Sequence, residues 1–236
     1  MNSEFIPLDE RTYRIENGFV RAFLLLGSER ALLIDSGATT PDLRAEAEAR
    51  TSLPLSLLNT HADGDHTSGN GAFPEFWMHP ADARLAAEKF PEAHILPLCT
   101  GQVIDLGDRP LEILAIPGHT RGSVAVLDRN ARVLYSGDSV QDGHVYMFGP
   151  HRDPEAFGPS LLRLAARMAD FDVIHPSHGT PELPEVQVLT VLREWTRVRK
   201  GLLSPRTELL HGAEVFTYDG DGCGFYCDGR AVQKKS

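Results

Sequence analysis

Positive charge is what this chain most lacks. Its 23 lysines and arginines face 33 acidic residues, a formal net charge of -10 across 236 residues. Binding to nucleic acid or to an anionic membrane needs a clustered basic face that releases counterions, and this balance argues against both, as it does against a nuclease. The expected partner is a small molecule. Long apolar runs are missing too: the longest, Ala22 to Leu26, falls far short of a membrane span, and the opening MNSEFIPLDE has neither a basic nor an apolar leader region. Cysteine is scarce. Cys99, Cys223 and Cys227 cannot all pair with one another, which fits a reducing compartment, so a soluble cytoplasmic protein is expected. A structural zinc needs four ligands, and no second cysteine or histidine pair stands near CGFYC. Cys223 and Cys227 therefore read as two small residues on one face of a hairpin strand. No repeat of fixed period, linker or low-complexity stretch divides the chain.

What is present is an alternation of strand and helix patterns. Tyr13 to Glu16, Phe19 to Leu26 and Ala31 to Ile34 are short branched or aromatic runs separated by Asn17-Gly18 and Gly27-Ser28, the punctuation of a meander. Thr40-Pro41-Asp42 opens a helical pattern to about Arg50, with Pro41 where a first-turn proline is tolerated, and LSLLNT at 55–60 returns to strand. Pro80 to Phe90 reads as helix. Further strands are expected at Val103 to Leu106, Leu111 to Ile116, Ser123 to Leu127 and Arg132 to Tyr135, a helix from Pro154 to about Ala169, and a buried strand in FDVIHP at 171–176. Pro184 to Lys200 predicts an amphipathic helix with Val188, Leu189, Leu192 and Trp195 on one side, and VFTYDGDGCGFYC ends the chain in a hairpin. The expected organisation is a layered α/β sandwich over residues 1–200, with residues 201–236 an extension whose hairpin packs on the same domain.

The polar clusters fall at one recurring place on that map. His61, Asp63, Asp65 and His66 follow the strand LSLLNT, His119 follows LEILAI, Asp138 follows RVLY and His178 follows DVI. Residues just beyond strand ends are free to converge on a common mouth, and the turns Pro117-Gly118 and Ser136-Gly137 allow close approach. A solvated loop has no reason to repeat this position, so the set reads as a metal site although a lone histidine would not. His79 and His94 read as bystanders. Ser123 and Cys99 lack a neighbouring histidine with an orienting acid and are poor nucleophile candidates.

LLIDSG at 32–37, the His-x-x-x-Asp-His frame at 61–66, PGHT at 117–120, SGDS at 136–139 and PSHG at 176–179 together resemble the metallo-β-lactamase fold superfamily, over about Thr12 to Lys200. The resemblance implies a single-domain, four-layered αββα sandwich with a dinuclear metal site at one edge. By position, His61, Asp63 and His119 would hold one ion, Asp65, His66 and His178 a second, and Asp138 would bridge them. Asp35 would orient the metal loop from behind. Two divalent ions are implied, zinc foremost, with manganese or iron as alternatives. A metal-bound hydroxide would attack an ester, thioester, lactone, amide or phosphoester of a small molecule, with Asp65 passing a proton to the leaving group. Two other readings are a flavodiiron-type redox protein, which would need a separate electron donor since nothing follows Ser236, and a non-catalytic metal-binding scaffold.

One position departs from the superfamily's HxHxDH loop: Asp63 stands where the second histidine is expected. Two divalent ions, three carboxylates and a bridging hydroxide then sum to zero where the histidine version would keep one positive charge. Such a site should acidify its water less and accept harder metals more readily. Asp63 is expected to ligate and tune the metal. The segment VQDGHVYMFGPHRD at 140–153 is expected to be a loop lining the substrate pocket through His144, Tyr146 and Arg152, with Arg152 or Arg121 free to pair with a substrate carboxylate or phosphate.

Overall fold

The computed structural model describes residues 3–39, 42–229 and 231. The expected helix start at Thr40 and Pro41 lies outside the described residues. Three sheets organise the chain. The first runs in the order β1 (Glu4–Asp9), β2 (Thr12–Asn17), β3 (Val20–Leu26), β4 (Ala31–Ile34), β5 (Leu55–Leu58), β6 (Glu75–Met78) and β7 (His94–Pro97), an antiparallel meander that turns parallel from β4 onward. The second comprises β8 (Val103–Asp105), β9 (Pro110–Ala115), β10 (Val124–Asp128), β11 (Val133–Gly137), β13 (Val173–Pro176) and β14 (Leu183–Pro184), with β11 and β13 parallel. The third joins β12 (His144–Met147) to β17 (Gly224–Cys227), β16 (Ala213–Asp219) and β15 (Arg206–Leu210).

Side-chain alternation explains the layering. In β3, Phe23 and Leu25 face the second sheet while Ala22 and Leu24 face α1 (Leu43–Glu48) and α3 (Pro80–Lys89); in β10, Val124 and Val126 face the first sheet while Ala125 and Leu127 face α4 (Pro154–Ala165) and α5 (Gln187–Arg199). All eight of these residues are buried, so apart from Arg21 and Asp128 both strands read as continuous rather than alternating apolar runs. The result is the expected αββα sandwich. No helix among the described residues is long and apolar enough to cross a membrane.

Several expectations need correction. The segment 140–153 is not all loop: β12 pairs parallel with β17, aligning His144 with Gly224 and Met147 with Cys227. The edge strands β1, β7 and β15 were not anticipated because, half exposed, they carry little apolar pattern. The helix from Pro154 ends at Ala165. The last helix begins at Gln187 and buries Val188, Val191, Trp195 and Val198, leaving Leu189 43% exposed, so the apolar stripe is rotated from the expected one. Cys223 and Cys227 are both buried free thiols, and burial pushes Cys223 up to about 12.

Candidate metal centre

Four strands end at the same edge of the sandwich. β5 delivers Asn59, Thr60 and His61, β9 leads to His119, β11 to Asp138 and β13 to His178. Gly137, at φ 55°, makes this approach sterically feasible: a Cβ there would stand 2.9 Å from Thr60 Oγ1. Asp63 to His66 enter on a single-turn helix, α2 (Gly64–Thr67), for which the Asp63 carboxylate provides no cap.

The donors converge closely. His61 Nε2 and His119 Nε2 lie 3.1 Å apart, and Asp63 Oδ2 stands 3.6 and 3.3 Å from them. On the other side, His178 Nε2 is 3.3 Å from Asp65 Oδ2, and His66 Nε2 is 3.6 Å from the same oxygen. Asp138 sits between: its Oδ1 is 3.2 Å from His66 Nε2, and its Oδ2 is 3.3 Å from His178 and 3.5 Å from His119. Two sets of three, His61, His119 and Asp138, and Asp65, His66 and His178, each keep their donor atoms within 4.8 Å of one another.

All four imidazoles turn the same way. Nδ1 donates to Thr60 Oγ1 in His61, to Asp35 in His66, to the Tyr146 carbonyl in His119 and to the Phe19 carbonyl in His178, leaving each Nε2 pointing inward. That tautomer is the one a metal ligand needs. His66 Nε2 and Asp138 Oδ1 are buried and, close as they are, make no aligned hydrogen bond. A cluster of inward lone pairs unsatisfied by one another fits divalent metal, for which imidazole nitrogen and carboxylate oxygen are ordinary ligands.

Asp35 holds this arrangement from behind. Its Oδ1 accepts from the Thr60 N–H and its Oδ2 from Thr60 Oγ1 and His66 Nδ1, each at 2.8 Å, with a backbone φ of 62° that an L residue rarely adopts. Asp82, from the first turn of α3, performs a similar task that the sequence reading missed. Fully buried, it accepts from the Ala62 and Gly122 N–H groups and from Thr120 Oγ1, tying the His61 loop to the His119 loop. A first-turn acid is so common that nothing marked it out.

The two sides are charged differently. Burial works against ionisation throughout, but Asp138 and Asp35 push His66 well above the usual imidazole range, and His178 rises to about 10 through Asp138 and Asp65. Burial and then the charge of Arg152 lower His119. Asp63 is held far below the carboxylate range, its own burial being outweighed by His119 and His61.

A cavity of about 840 Å³ opens over the cluster. Asp63, Asp65, His119, Asp138 and His178 line its floor, and Phe19, Phe148, Tyr146 and Tyr226 line its walls. Tyr146 and Tyr226 stack edge to face at 4.9 Å, and His144 stacks on Tyr226 while its Nε2 binds Asp219 at 2.8 Å. Phe148, His211 and Tyr226 join the expected Tyr146 and His144, Tyr226 because β12 pairs with β17. Arg152 lines the cavity with both terminal nitrogens taken: Nη1 and Nη2 donate to Asp63, at 3.0 and 2.6 Å, while Nε is buried without a partner among the described residues. The fork expected to hold a substrate anion holds an acid of the protein instead. Arg121 is exposed and lies off the cavity.

Comparison with known proteins gives the same outline. The family model described as Metallo-beta-lactamase superfamily matches residues 15–178. Acyl-coenzyme A thioesterase MBLAC2 of Gallus gallus is 30% identical over 202 residues, covering 70% of this chain and 73% of that protein. Hydroxyacylglutathione hydrolase of Xanthomonas euvesicatoria pv. vesicatoria (strain 85-10) is 29% identical over 151 residues, 62% of this chain and 54% of the relative, so the chain spans about half of that protein's length. Among solved structures, a metallo-beta-lactamase from Pontibacter korlensis superposes with a TM-score of 0.70 at 21% identity, over 81% of this chain and 98% of that one. That likeness concerns the fold alone.

Proposed function

Because the chain belongs to the metallo-beta-lactamase superfamily and is a hydrolase, we propose that it is a metal-dependent thioesterase that cleaves the acyl–sulfur bond of a small-molecule acyl thioester. The observation carrying this reading is the inward-facing donor cluster set as the floor of an aromatic-walled cavity. His61, Asp63 and His119 would hold one divalent ion, Asp65, His66 and His178 a second, with Asp138 shared between them. Such ions, when bound, polarise a carbonyl and make water a nucleophile near neutral pH.

The chain's own residues would do the rest. Asp65, partly exposed on the cavity floor, is positioned to carry a proton towards the departing sulfur. Burial, with Tyr226 and Asp65 nearby, raises Tyr146, which keeps its hydroxyl protonated as a hydrogen-bond donor facing the cavity. Among the described residues lining the cavity there is no lysine, and the one arginine is paired with Asp63. Above the metal floor an acidic substrate group would meet no lysine and no arginine free of an acid, whereas an apolar acyl group meets aromatic faces. The acyl portion is therefore uncharged and apolar, and the polar carrier of the thiol lies outside the walls. Two relatives named for thioester substrates, acyl-coenzyme A and hydroxyacylglutathione, support the reading.

The test is turnover of acyl-coenzyme A thioesters of graded acyl length, hydroxyacylglutathione, β-lactams and phosphodiesters by protein carrying zinc, manganese or iron of measured content. Thioester hydrolysis that chelation abolishes and one metal restores is expected. Turnover of phosphodiesters or β-lactams without thioesters overturns the proposal.

A further inference from the structure

The carboxylate of Asp63 is an unusual neighbour for two histidines. It reaches within 3.3 Å of His119 Nε2, close enough to share a metal with it, yet both of its oxygens are engaged by the guanidinium of Arg152, 89 residues away. The contact has the parallel two-bond form of an arginine–carboxylate fork. Arg152 is also built in rather than draped over the surface, its side chain being only 11% exposed. The turn that carries it is tied to the His119 loop on both sides, by the Arg121 N–H donating to the His151 carbonyl at 3.1 Å and the Asp153 N–H donating to the Gly118 carbonyl at 2.8 Å. Asp153 then caps α4 by accepting from the Ala156 N–H at 3.0 Å. The arginine therefore reaches Asp63 from a backbone that is itself part of the metal edge.

We propose that Asp63 and Arg152 act as one unit, a metal-facing carboxylate whose charge is cancelled by a fixed guanidinium, and that Arg152 sets the charge of the metal site instead of binding substrate. Two divalent ions set against Asp65 and Asp138 leave two positive charges; Asp63 removes one, and Arg152 returns it. The pair thus offers an oxygen donor without the loss of positive charge that a bare third carboxylate would bring. The same contact restrains the donor, since an oxygen gripped by a guanidinium gives less electron density to a metal. The ion beside His61 and His119 is accordingly the weaker of the two.

The inference rests on the metal reading of the same residues, and its test separates the two. Zinc alone is titrated calorimetrically into protein stripped with chelator, and zinc content is measured independently. Wild type is expected to show one tight and one weaker event. Arg152→Gln frees Asp63 and removes a nearby cation, so the weaker event is expected to tighten about tenfold; Asp63→His leaves the cation unpaired beside the site and should weaken it about tenfold. The double variant restores the wild-type charge and is expected to return within about threefold of wild type, because the two opposite charge changes cancel. Arg152→Lys keeps the charge and is expected to stay near wild type, and circular dichroism of each stripped variant checks its fold. If wild type binds no zinc, the metal reading itself fails. If wild type binds two ions while Arg152→Gln changes neither event and raises only the KM for thioester, the charge-setting role is overturned and Arg152 is a substrate contact.

Discussion

The two halves of the donor cluster use the same residue types and have opposite electrostatic settings. His66 and His178 are drawn to the protonated form by Asp138, Asp35 and Asp65, whereas His119 is kept neutral by burial and by Arg152. Their supports differ as well. The His66 half leans on Asp35, a buried acid at a strand end that accepts from His66 Nδ1 and the Thr60 N–H at 2.8 Å. The Asp63 half leans on an arginine delivered by the turn before α4. The difference teaches that ligand identity does not fix a metal site; what stands behind each ligand decides whether protons or cations compete with the metal there.

The largest effect is expected from removing the support of the His66 half. Asp35→Ala leaves His66 Nδ1 and the Thr60 N–H without their acceptor and should lower zinc affinity there by about 10–100-fold, read by competition with a chromogenic chelator. An Asp35→Ala protein that binds both ions like wild type would erase the contrast between the halves.

Next comes pH. Raised values mean that His66 and His178 hold protons when no metal is bound, so an ion must expel them, and tight binding strengthens as pH rises through the neutral range. His119 is lowered, so the weaker event has fewer protons to release. Calorimetry in buffers of different ionisation enthalpy should show more protons released by one event than by the other; equal release breaks the comparison.

A smaller effect is expected where the halves are joined. Asp82→Ala strands two backbone N–H groups and the Thr120 hydroxyl, costing about 1–3 kcal/mol, a fall in Tm of roughly 3–10 °C by thermal unfolding. The smallest concerns the wall above the donor cluster. Tyr226→Ala should raise the KM for the longest acyl chains by about threefold to tenfold while kcat for short ones is kept, and steady-state kinetics across acyl length sharpens the assignment of the wall to the acyl group.

Much of this edge was legible along the chain. His61, His119, Asp138 and His178 each follow a strand-forming run within a few residues, and a strand end is a local property that apolar patterning marks. Asp35 could be placed for the same reason. Asp82 could not, because an acid in the first turn of a helix usually serves the helix. Arg152 was visible as a cation near the cavity, but its partner is 89 residues away, and nothing local distinguishes an arginine waiting for a substrate anion from one already paired. The aromatic wall was half legible. Tyr146 sits in a segment read as loop, and the strand it belongs to exists because β17 lies alongside it, a pairing between residues 144–147 and 224–227.

Sequence alone determined the layered α/β class, the strand ends and the residue types available to hold metal, since these follow from side-chain periodicity and turn chemistry over a few neighbouring residues. Tertiary structure decided which of those residues are neutralised, which tautomer each imidazole takes and which side chains wall the cavity. Those properties are set by partners brought within about 3 Å from distant parts of the chain, and electrostatic and hydrogen-bonding energies depend on that separation in space, not on separation along the sequence.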